Sequence, residues 1–226
     1  MNTFRPVVYV VDDDQSFLTS VVRLFRASGF SAEAFSSSAE FLAQRATDSP
    51  GCVVADLHMP GLNGIELQAA LAKTHHPLPI IFLTGRGDIP SSVTAMRRGA
   101  EDFLTKLAPK EELLAAVRRA IERDERERQE RARRRELEAR FDTLTPREHE
   151  VLTQVLGGRL NKQIAADLDI DERSVKRHRA SVMSKLQVQS VAELSHLAHE
   201  AGMASPTWLI AAAASAVPRI APSPRP

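Results

Sequence analysis

Carboxylates stand directly after short apolar runs at two places in the first half of the chain. Asp12 and Asp13 follow Val7–Val11, and Asp56 follows the run that contains Cys52. Such runs are typical of strands buried on both faces of a parallel sheet, whose carboxyl ends gather at the edge where ligands bind. An aspartate there either caps the next turn or carries chemistry, and Asp56 alone does not decide between the two.

A hydroxyl group and an ammonium group follow two later apolar runs, at Thr84 and Lys106. Three carboxylates at one edge of a sheet repel one another and raise one another's pKa unless a cation lies among them. Oxygen ligands with room for water and phosphate suit Mg²⁺. A carboxylate beside Mg²⁺, a hydroxyl and an ammonium is a constellation that accepts a phosphoryl group by in-line attack.

The elements that position these groups are predicted from an alternation of apolar and amphipathic stretches. This alternation indicates an α/β doubly wound parallel five-stranded sheet. The apolar runs are Val7–Val11, Phe30–Phe35, Val53–Asp56, Pro79–Leu83 and Asp102–Thr105. Asp14 is expected to cap the first helix rather than to bind metal.

The composition describes an ordinary water-soluble protein and excludes several classes. The chain has 226 residues, a formal net charge of +1 and one cysteine, so it has room for two modest domains and no cysteine-based metal site or disulfide scaffold. No signal peptide and no membrane-spanning run is visible, and we expect a cytoplasmic protein. Net charge does not predict nucleic-acid binding, which must be argued from local arrangement.

Residues 5–120 resemble the receiver domain of two-component response regulators, and more narrowly the FixJ type. The resemblance rests on the segments Val10–Asp14, Asp56–Gln68, Pro79–Pro90 and Ala95–Lys106. It implies that Asp56 accepts phosphate from a sensor histidine kinase and that Lys106 contacts the phosphoryl group. It also implies a switch pair, Thr84 and Phe103, and a set of Mg²⁺ ligands: Asp12, Asp13, Asp56 and the backbone carbonyl of His58.

The loop after Lys106 departs from this family. A proline normally follows the lysine, usually in a cis peptide, whereas Leu107 stands here and Pro109 comes two places later. A cis bond before Leu107 would cost about 3 kcal/mol or more, so we expect a trans peptide. The Lys106 side chain then either points in a different direction from that of its relatives, or the loop repacks without any effect on phosphorylation.

The interval after Ile121 is rich in both acids and bases. Arg123–Arg135 is nearly free of apolar residues and has no Gly or Pro, which favours a solvated continuous helix over a disordered linker. Interleaved acids disfavour a basic nucleic-acid arm. We therefore predict a receiver domain over 1–122 and a charged helical linker over 123–141.

The second half reads as four short helices. Thr145, Pro146 and Glu148 form a helix start with a capping box. The middle two helices, from Asn161 and from Glu172, are separated by a short turn, which is a helix-turn-helix. We predict an all-α domain over 142–203. For the tail over 204–226 we expect a disordered, frayed extension, with a short partner-binding helix as the alternative.

The third of these helices has two different faces. Val175, the stem of Arg179, Val182 and Leu186 form its inward stripe. Its other face presents Arg173, Lys176, Arg177, Ala180 and Ser184. Residues 173–185 hold five Lys or Arg and no acid. This combination suits a recognition helix, with long donors for base edges and a small residue for close approach. A solvated amphipathic helix is the alternative.

Residues 142–200 resemble the LuxR/NarL-type DNA-binding domain through Leu144–Glu148, Asn161–Ala165 and Ser174–Leu186. The resemblance implies that Lys176, Arg177 and Ala180 face the major groove of double-stranded promoter DNA. It places Asn161, Lys162 and Lys185 at phosphates.

The whole chain is thus predicted to be a phosphorylation-controlled transcription factor and not an enzyme. A homodimer, promoted by phosphorylation, would bind two half-sites on the DNA, because one recognition helix buries too little surface for specific binding. Two alternatives stay open: a phosphorylation-independent regulator with an atypical receiver, and a haloacid-dehalogenase-like phosphatase. The second needs an acid two residues after the nucleophile, where His58 stands.

Overall fold

The computed structural model describes residues 5–46, 48–85 and 89–202 and divides the chain into two compact units, with the division between Gln129 and Glu130. The predicted tail lies outside the described residues. The strands are β1 Val7–Val11, β2 Ser31–Phe35, β3 Gly51–Ala55, β4 Ile80–Thr84 and β5 Asp102–Thr105. The helices of the first unit are α1 Gln15–Ala27, α2 Ser38–Gln44, α3 Gly64–Ala72 and α4 Ile89–Arg97, and α5 Lys110–Phe141 begins in it.

The first unit confirms the predicted doubly wound sheet. Its strands are parallel in the order β2-β1-β3-β4-β5, with Val11 beside Ala55 and Ala55 beside Phe82. The chain passes from β1 to one edge and returns to β3 on the other side of β1. A crevice opens at the carboxyl ends of strands where the order reverses in this way. Asp12 and Asp56 directly follow the two strands that flank this crevice.

The sheet is covered on both faces, which explains the unbroken apolar runs of its central strands. On one face Val10, Val54 and Ile81 pack with Leu18 of α1 and Val117 of α5. The other face carries Tyr9, Val53 and Phe82, packed with Phe41 of α2, Leu67 of α3 and Ala95 of α4. Strands buried on two sides show no polar alternation, so the strand prediction from continuous apolar runs is confirmed.

The start of the charged connector differs from the expected solvated helix. Asp124 is only 1% exposed, and its Oδ2 accepts hydrogen bonds from the Gly51 backbone N at 2.9 Å and from Arg128 Nε at 2.7 Å. Arg128 also donates to the Ser49 carbonyl at 2.8 Å. Gly51 has φ of +147°, and a Cβ there would lie 1.9 Å from the Val7 carbonyl oxygen. The helix therefore stays bound to the first unit through Arg128.

The second unit is all helical over its described residues. It contains the end of α5, then α6 Pro146–Leu156, α7 Asn161–Asp167, α8 Glu172–Leu186 and α9 Val191–Glu200. Its core includes Phe141, Leu152, Ile164, Val182 and Leu194. The predicted capping box of Thr145 and Glu148 is present, with Pro146 in the first turn. Among the described helices of both units, none is long and apolar enough to cross a bilayer.

Candidate functional site: an acidic pocket and a basic helix

Three carboxylates meet at the carboxyl edge of the sheet. Asp12, Asp13 and Asp56 each offer one oxygen, and these oxygens lie within 4.8 Å of one another. Asp12 is 1% exposed and Asp56 is 8% exposed, whereas Asp13 is open to solvent. Burial raises the pKa of Asp12, although hydrogen bonds from Lys106 and from the Asp14 backbone act in the opposite direction. An all-oxygen set with one open side fits a hard divalent cation such as Mg²⁺.

The ammonium group of Lys106 lies among these carboxylates. Its Nζ is 2.6 Å from Asp12 Oδ2 and 2.9 Å from Asp56 Oδ2. Burial disfavours the charged amine, but the hydrogen bonds to the two carboxylates outweigh it and raise the pKa of Lys106. The structure therefore brings Lys106 and the acids together, as the sequence predicts. One ammonium leaves the pocket with excess negative charge, because the cluster contains three carboxylates.

The carboxylate of Asp56 has two differently engaged oxygens. Oδ1 accepts hydrogen bonds from the backbone N of Leu57 at 2.6 Å and of His58 at 3.3 Å, while Oδ2 faces Lys106. A Cβ at Gly64 would lie 2.5 Å from the Asp56 carbonyl oxygen, so only glycine lets α3 begin this close. Asp56 thus caps the following turn and also faces the pocket, so the cap is present and the chemistry of Asp56 stays a prediction.

The remaining predicted receiver residues lie on neighbouring strands. Thr84 is the last residue of β4, is fully buried, and its carbonyl accepts a hydrogen bond from the Lys106 backbone N at 2.8 Å. Phe103 is half-buried on β5, with its ring centroid 6.2 Å from that of Phe82. His58 is exposed, and its backbone adjoins the Asp56 carboxylate. Asp14 caps α1 through hydrogen bonds from the backbone N of Ser16 and of Phe17, as predicted.

The loop that lacks the usual proline forms an ordinary turn. All peptide bonds of the described residues are trans, including the one before Leu107, as expected. The Ala108 backbone N donates to the Thr105 carbonyl at 2.9 Å, which closes a four-residue turn with Lys106 in its second position. The Leu107 side chain is 93% exposed. The turn holds the Lys106 backbone without packing of the Leu107 side chain.

In the second unit, α8 presents the basic face that its sequence predicts. Val175, Val182 and Leu186 are buried. Four predicted DNA-facing residues of α8 are exposed, namely Arg173, Lys176, Arg177 and Ala180. Helix α7 precedes α8 by a four-residue turn, residues 168–171, so the helix-turn-helix is formed. The exposed face carries donors of the kind that read base edges.

Asn161 joins the two helices of this motif. It is the first residue of α7, and its Oδ1 accepts a hydrogen bond from Arg179 Nη1 at 2.8 Å. An open groove runs beside this contact and is lined by Leu160, Asn161, Lys176 and Arg179. Lys162 is exposed on the next position of α7. The guanidinium of Arg179 therefore reaches the groove although its stem points inward.

Lys185 has a partner inside the unit. Its Nζ lies 2.7 Å from Glu148 Oε2 and 3.1 Å from the Thr143 carbonyl oxygen. Glu148 also accepts from Ser181 Oγ at 2.6 Å and from the Thr145 backbone N at 2.7 Å. Burial opposes ionisation of Glu148, but these donors outweigh it and lower its pKa to about 2. This network ties the start of α6 to α8.

Sequence reasoning missed three contacts, all between residues distant along the chain. The Phe17 ring lies under the Lys106 ammonium, Arg179 reaches Asn161, and Lys185 reaches Glu148. Only the last contact involves a residue that the sequence pattern singled out, because the capping box identified Glu148 as a helix-start residue. Nothing in a capping pattern indicates a partner 37 positions later.

Comparisons with known proteins agree with both units. The family model of the response regulator receiver domain matches residues 8–118, and that of the luxR family of bacterial regulatory proteins matches residues 142–198. Nodulation protein W of Bradyrhizobium diazoefficiens is 41% identical over 201 residues, covering 89% of this chain and 88% of its own. The transcriptional regulatory protein FixJ of the same organism is 40% identical over 201 residues, covering 89% and 98%. The solved structure of the response regulator StyR has a TM-score of 0.74 at 43% identity, covering 87% of this chain and 99% of its own.

Proposed function

Because the chain belongs to the DNA-binding response regulators of two-component systems, with a receiver domain and a LuxR-type helix-turn-helix, we propose that phosphorylation of Asp56 controls its binding to DNA. The phosphoryl donor is a sensor histidine kinase, and the second partner is double-stranded promoter DNA. The observation that carries the proposal is the Lys106 ammonium, 2.9 Å from Asp56 Oδ2 at the edge of a three-carboxylate cluster.

The proposed transfer uses groups already assembled at the edge of the sheet. One oxygen of the Asp56 carboxylate forms a bond to phosphorus while the phosphorus–nitrogen bond of a phosphohistidine breaks. The electron pair stays on the imidazole nitrogen, which takes up a proton. Lys106 and the hydroxyl of Thr84 stabilise negative charge on the phosphoryl oxygens.

We propose that the three carboxylates hold Mg²⁺ together with the backbone carbonyl of His58. Asp12, Asp13 and Asp56 supply the oxygen ligands that this cation prefers. When bound, Mg²⁺ supplies positive charge to the phosphoryl oxygens. The excess negative charge of the pocket supports this assignment, because Lys106 alone does not balance three carboxylates.

Thr84 and Phe103 are the proposed switch pair. A phosphoryl oxygen that takes a hydrogen bond from Thr84 draws this buried side chain toward Asp56. Phe103 lies one strand away and is only half-buried, so its ring has room to change its packing. The change reaches the surface formed by α4 and β5, where two packings of the same residues give a two-state element.

DNA recognition is proposed for the exposed face of α8. Lys176 and Arg177 donate to base edges and Ala180 permits close approach, with Arg173 beside them. Asn161 and Lys162 are placed at phosphates. Lys185 stays a predicted phosphate contact, but a phosphate would have to compete with Glu148 for its ammonium.

Dimerisation follows from the size of the binding face. A single recognition helix buries too little surface for specific affinity, so a homodimer, promoted by phosphorylation, engages two half-sites. The two-fold axis of such a dimer is matched by a palindromic operator.

Acetyl phosphate tests the phosphorylation. Wild-type protein should gain an alkali-labile phosphate, while Asp56→Asn should gain none because the attacking oxygen is lost. Addition of EDTA should suppress the incorporation. Asp48→Asn, a change at an exposed acid on the loop before β3, is the matched control and should be phosphorylated like the wild type.

A second candidate is a regulator that works without phosphorylation, favoured by the exposed Leu107 in place of proline. In that case wild type and Asp56→Asn would carry no phosphate and would bind the same DNA equally. Stronger binding by the phosphorylated wild type, measured by footprinting, would exclude this candidate.

Footprinting also tests the assignment of α8. Lys176→Ala and Arg177→Ala should each weaken specific binding about ten- to a hundredfold, since one good base contact contributes about 1–3 kcal/mol of discrimination. Ser195→Ala, at an exposed serine of α9 in the same unit, is the control. Unchanged footprints in both variants, with an unchanged helical fold by circular dichroism, would remove these residues from base reading.

A further inference from the structure

The Lys106 side chain has a third neighbour besides its two carboxylates. Its Nζ lies 4.4 Å from the centroid of the Phe17 ring. Phe17 belongs to the first turn of α1 and is half-buried against the core on that face of the sheet. A cation this close to the face of an aromatic ring is attracted by the ring's negative electrostatic potential.

The backbone that carries the Phe17 ring is held close to the acidic pocket. The Phe17 backbone N donates to Asp14 Oδ1 at 3.1 Å, and the Asp14 backbone N donates to Asp12 Oδ1 at 2.9 Å. The helix cap and the buried carboxylate are therefore joined in one short run of chain. The ring approaches Lys106 from the same run that supplies the first acids.

The Lys106 side chain needs such a support. The Lys106 backbone is held by Thr84 and by the turn that closes at Ala108, but these contacts leave the four side-chain torsions unrestricted. Leu107 is 93% exposed and contributes no packing. Apart from the ion pairs with Asp12 and Asp56, any support for the side chain must come from a residue that does not neighbour Lys106 in sequence.

We propose that Phe17 is a positioning residue, whose ring holds the Lys106 ammonium at the Asp56 carboxylate. The inference rests on the proposed role of Lys106 at the phosphoryl group. Because the ring carries no charge, its attraction persists when Asp12 and Asp56 also contact another cation. The two ion pairs, by contrast, weaken as soon as their carboxylates are shared.

The test compares Phe17→Leu with Phe17→Tyr, which keeps an aromatic face. Phosphate incorporation from acetyl phosphate should slow about three- to tenfold in Phe17→Leu and stay near the wild-type rate in Phe17→Tyr. Phe30→Leu is the matched control, because Phe30 is also a half-buried ring packed against the same core. Its rate should equal that of the wild type.

Two further measurements separate positioning from ordinary packing. In a Lys106→Ala background, Phe17→Leu should cause no additional loss of rate. In the unphosphorylated protein, the ε-methylene protons of Lys106 should resonate upfield through the ring current of Phe17, and Phe17→Leu should remove this shift while Phe30→Leu keeps it.

The outcomes are distinct. Equal rates for Phe17→Leu and Phe30→Leu, or the same loss in the Lys106→Ala background, would overturn the inference. If the wild type takes up no phosphate, the proposed function fails by itself, and the Lys106 resonances still decide: a ring-current shift lost in Phe17→Leu supports the contact, and its absence from the wild type overturns it.

Discussion

Each unit contains a buried carboxylate paired with a lysine, and the two pairs have opposite surroundings. Lys106 faces two carboxylates in the first unit, with Asp13 beside them. In the second unit Glu148 is one carboxylate surrounded by donors, among them Lys185 and Ser181. Burial opposes the charge of Asp12 and raises its pKa, whereas the donors around Glu148 lower its pKa to about 2.

The difference predicts a reactive site in the first unit and a structural anchor, the Glu148–Lys185 pair, in the second. Glu148 is one carboxylate with one ammonium and further neutral donors, so its charge is balanced and its network fixes one geometry. In the first unit three carboxylates share one ammonium, and this excess of negative charge attracts a further cation. Lysine–carboxylate pairs of similar length, 2.6 to 2.9 Å, are therefore predicted to have different roles in the two units.

The largest expected effect is in the acidic pocket. Lys106→Ala removes the charge that we propose stabilises the phosphoryl oxygens, so phosphate incorporation from acetyl phosphate should fall by about a hundredfold or more. Lys110→Ala, at an exposed lysine four positions later, is the control and should leave the rate unchanged. A Lys106→Ala rate within twofold of the wild type would mean that this lysine does not differ from an anchor.

The anchor in the second unit should show itself in stability rather than in phosphorylation. The folded-state pKa of Glu148 is lowered to about 2, so its stabilisation is present above its ordinary pKa near 4.5 and is lost as the pH falls toward 2. Glu148→Gln should weaken the second unit by about 1–3 kcal/mol near neutral pH, because the ionised acceptor is gone. Hydrogen exchange of the α8 amides in the full chain measures this loss.

The control is Glu150→Gln, which changes a more exposed acid on the same helix that pairs with Arg147. It should alter exchange little. If the wild type and Glu148→Gln lose stability in parallel between pH 4.5 and 2, the carboxylate of Glu148 is not the source of the pH dependence, and the contrast between the two pairs disappears.

The sheet and the location of the acidic pocket were predictable because both depend on local patterns. Apolar runs identify buried strands, and the parallel order brings Asp12, Asp56 and Lys106 to one edge whatever the details of packing. The burial of Asp124 was not predictable, since it depends on where α5 passes the Gly51 backbone. The Phe17 contact depends likewise on how α1 sits on the sheet, which no local pattern contains.

The smallest predicted effect concerns Lys185, for which sequence resemblance and structure point to different roles. A lysine that contacts a phosphate releases counterions on binding, so replacing it lowers the salt dependence of DNA affinity by about one unit of slope. Lys162 is exposed, so Lys162→Met should show this decrease. Lys185→Met should leave the slope unchanged, because its ammonium is held by Glu148 and Thr143.

Titrations of DNA affinity against salt, with each variant as the full chain, decide between the two roles. A decrease in slope for Lys185→Met equal to that for Lys162→Met would show that the DNA phosphate displaces Glu148. Lys185 would then resemble Lys106, as a cation that exchanges an internal carboxylate for a phosphoryl oxygen. An unchanged slope together with faster exchange of the α8 amides leaves Lys185 as an anchor and keeps the two lysines apart.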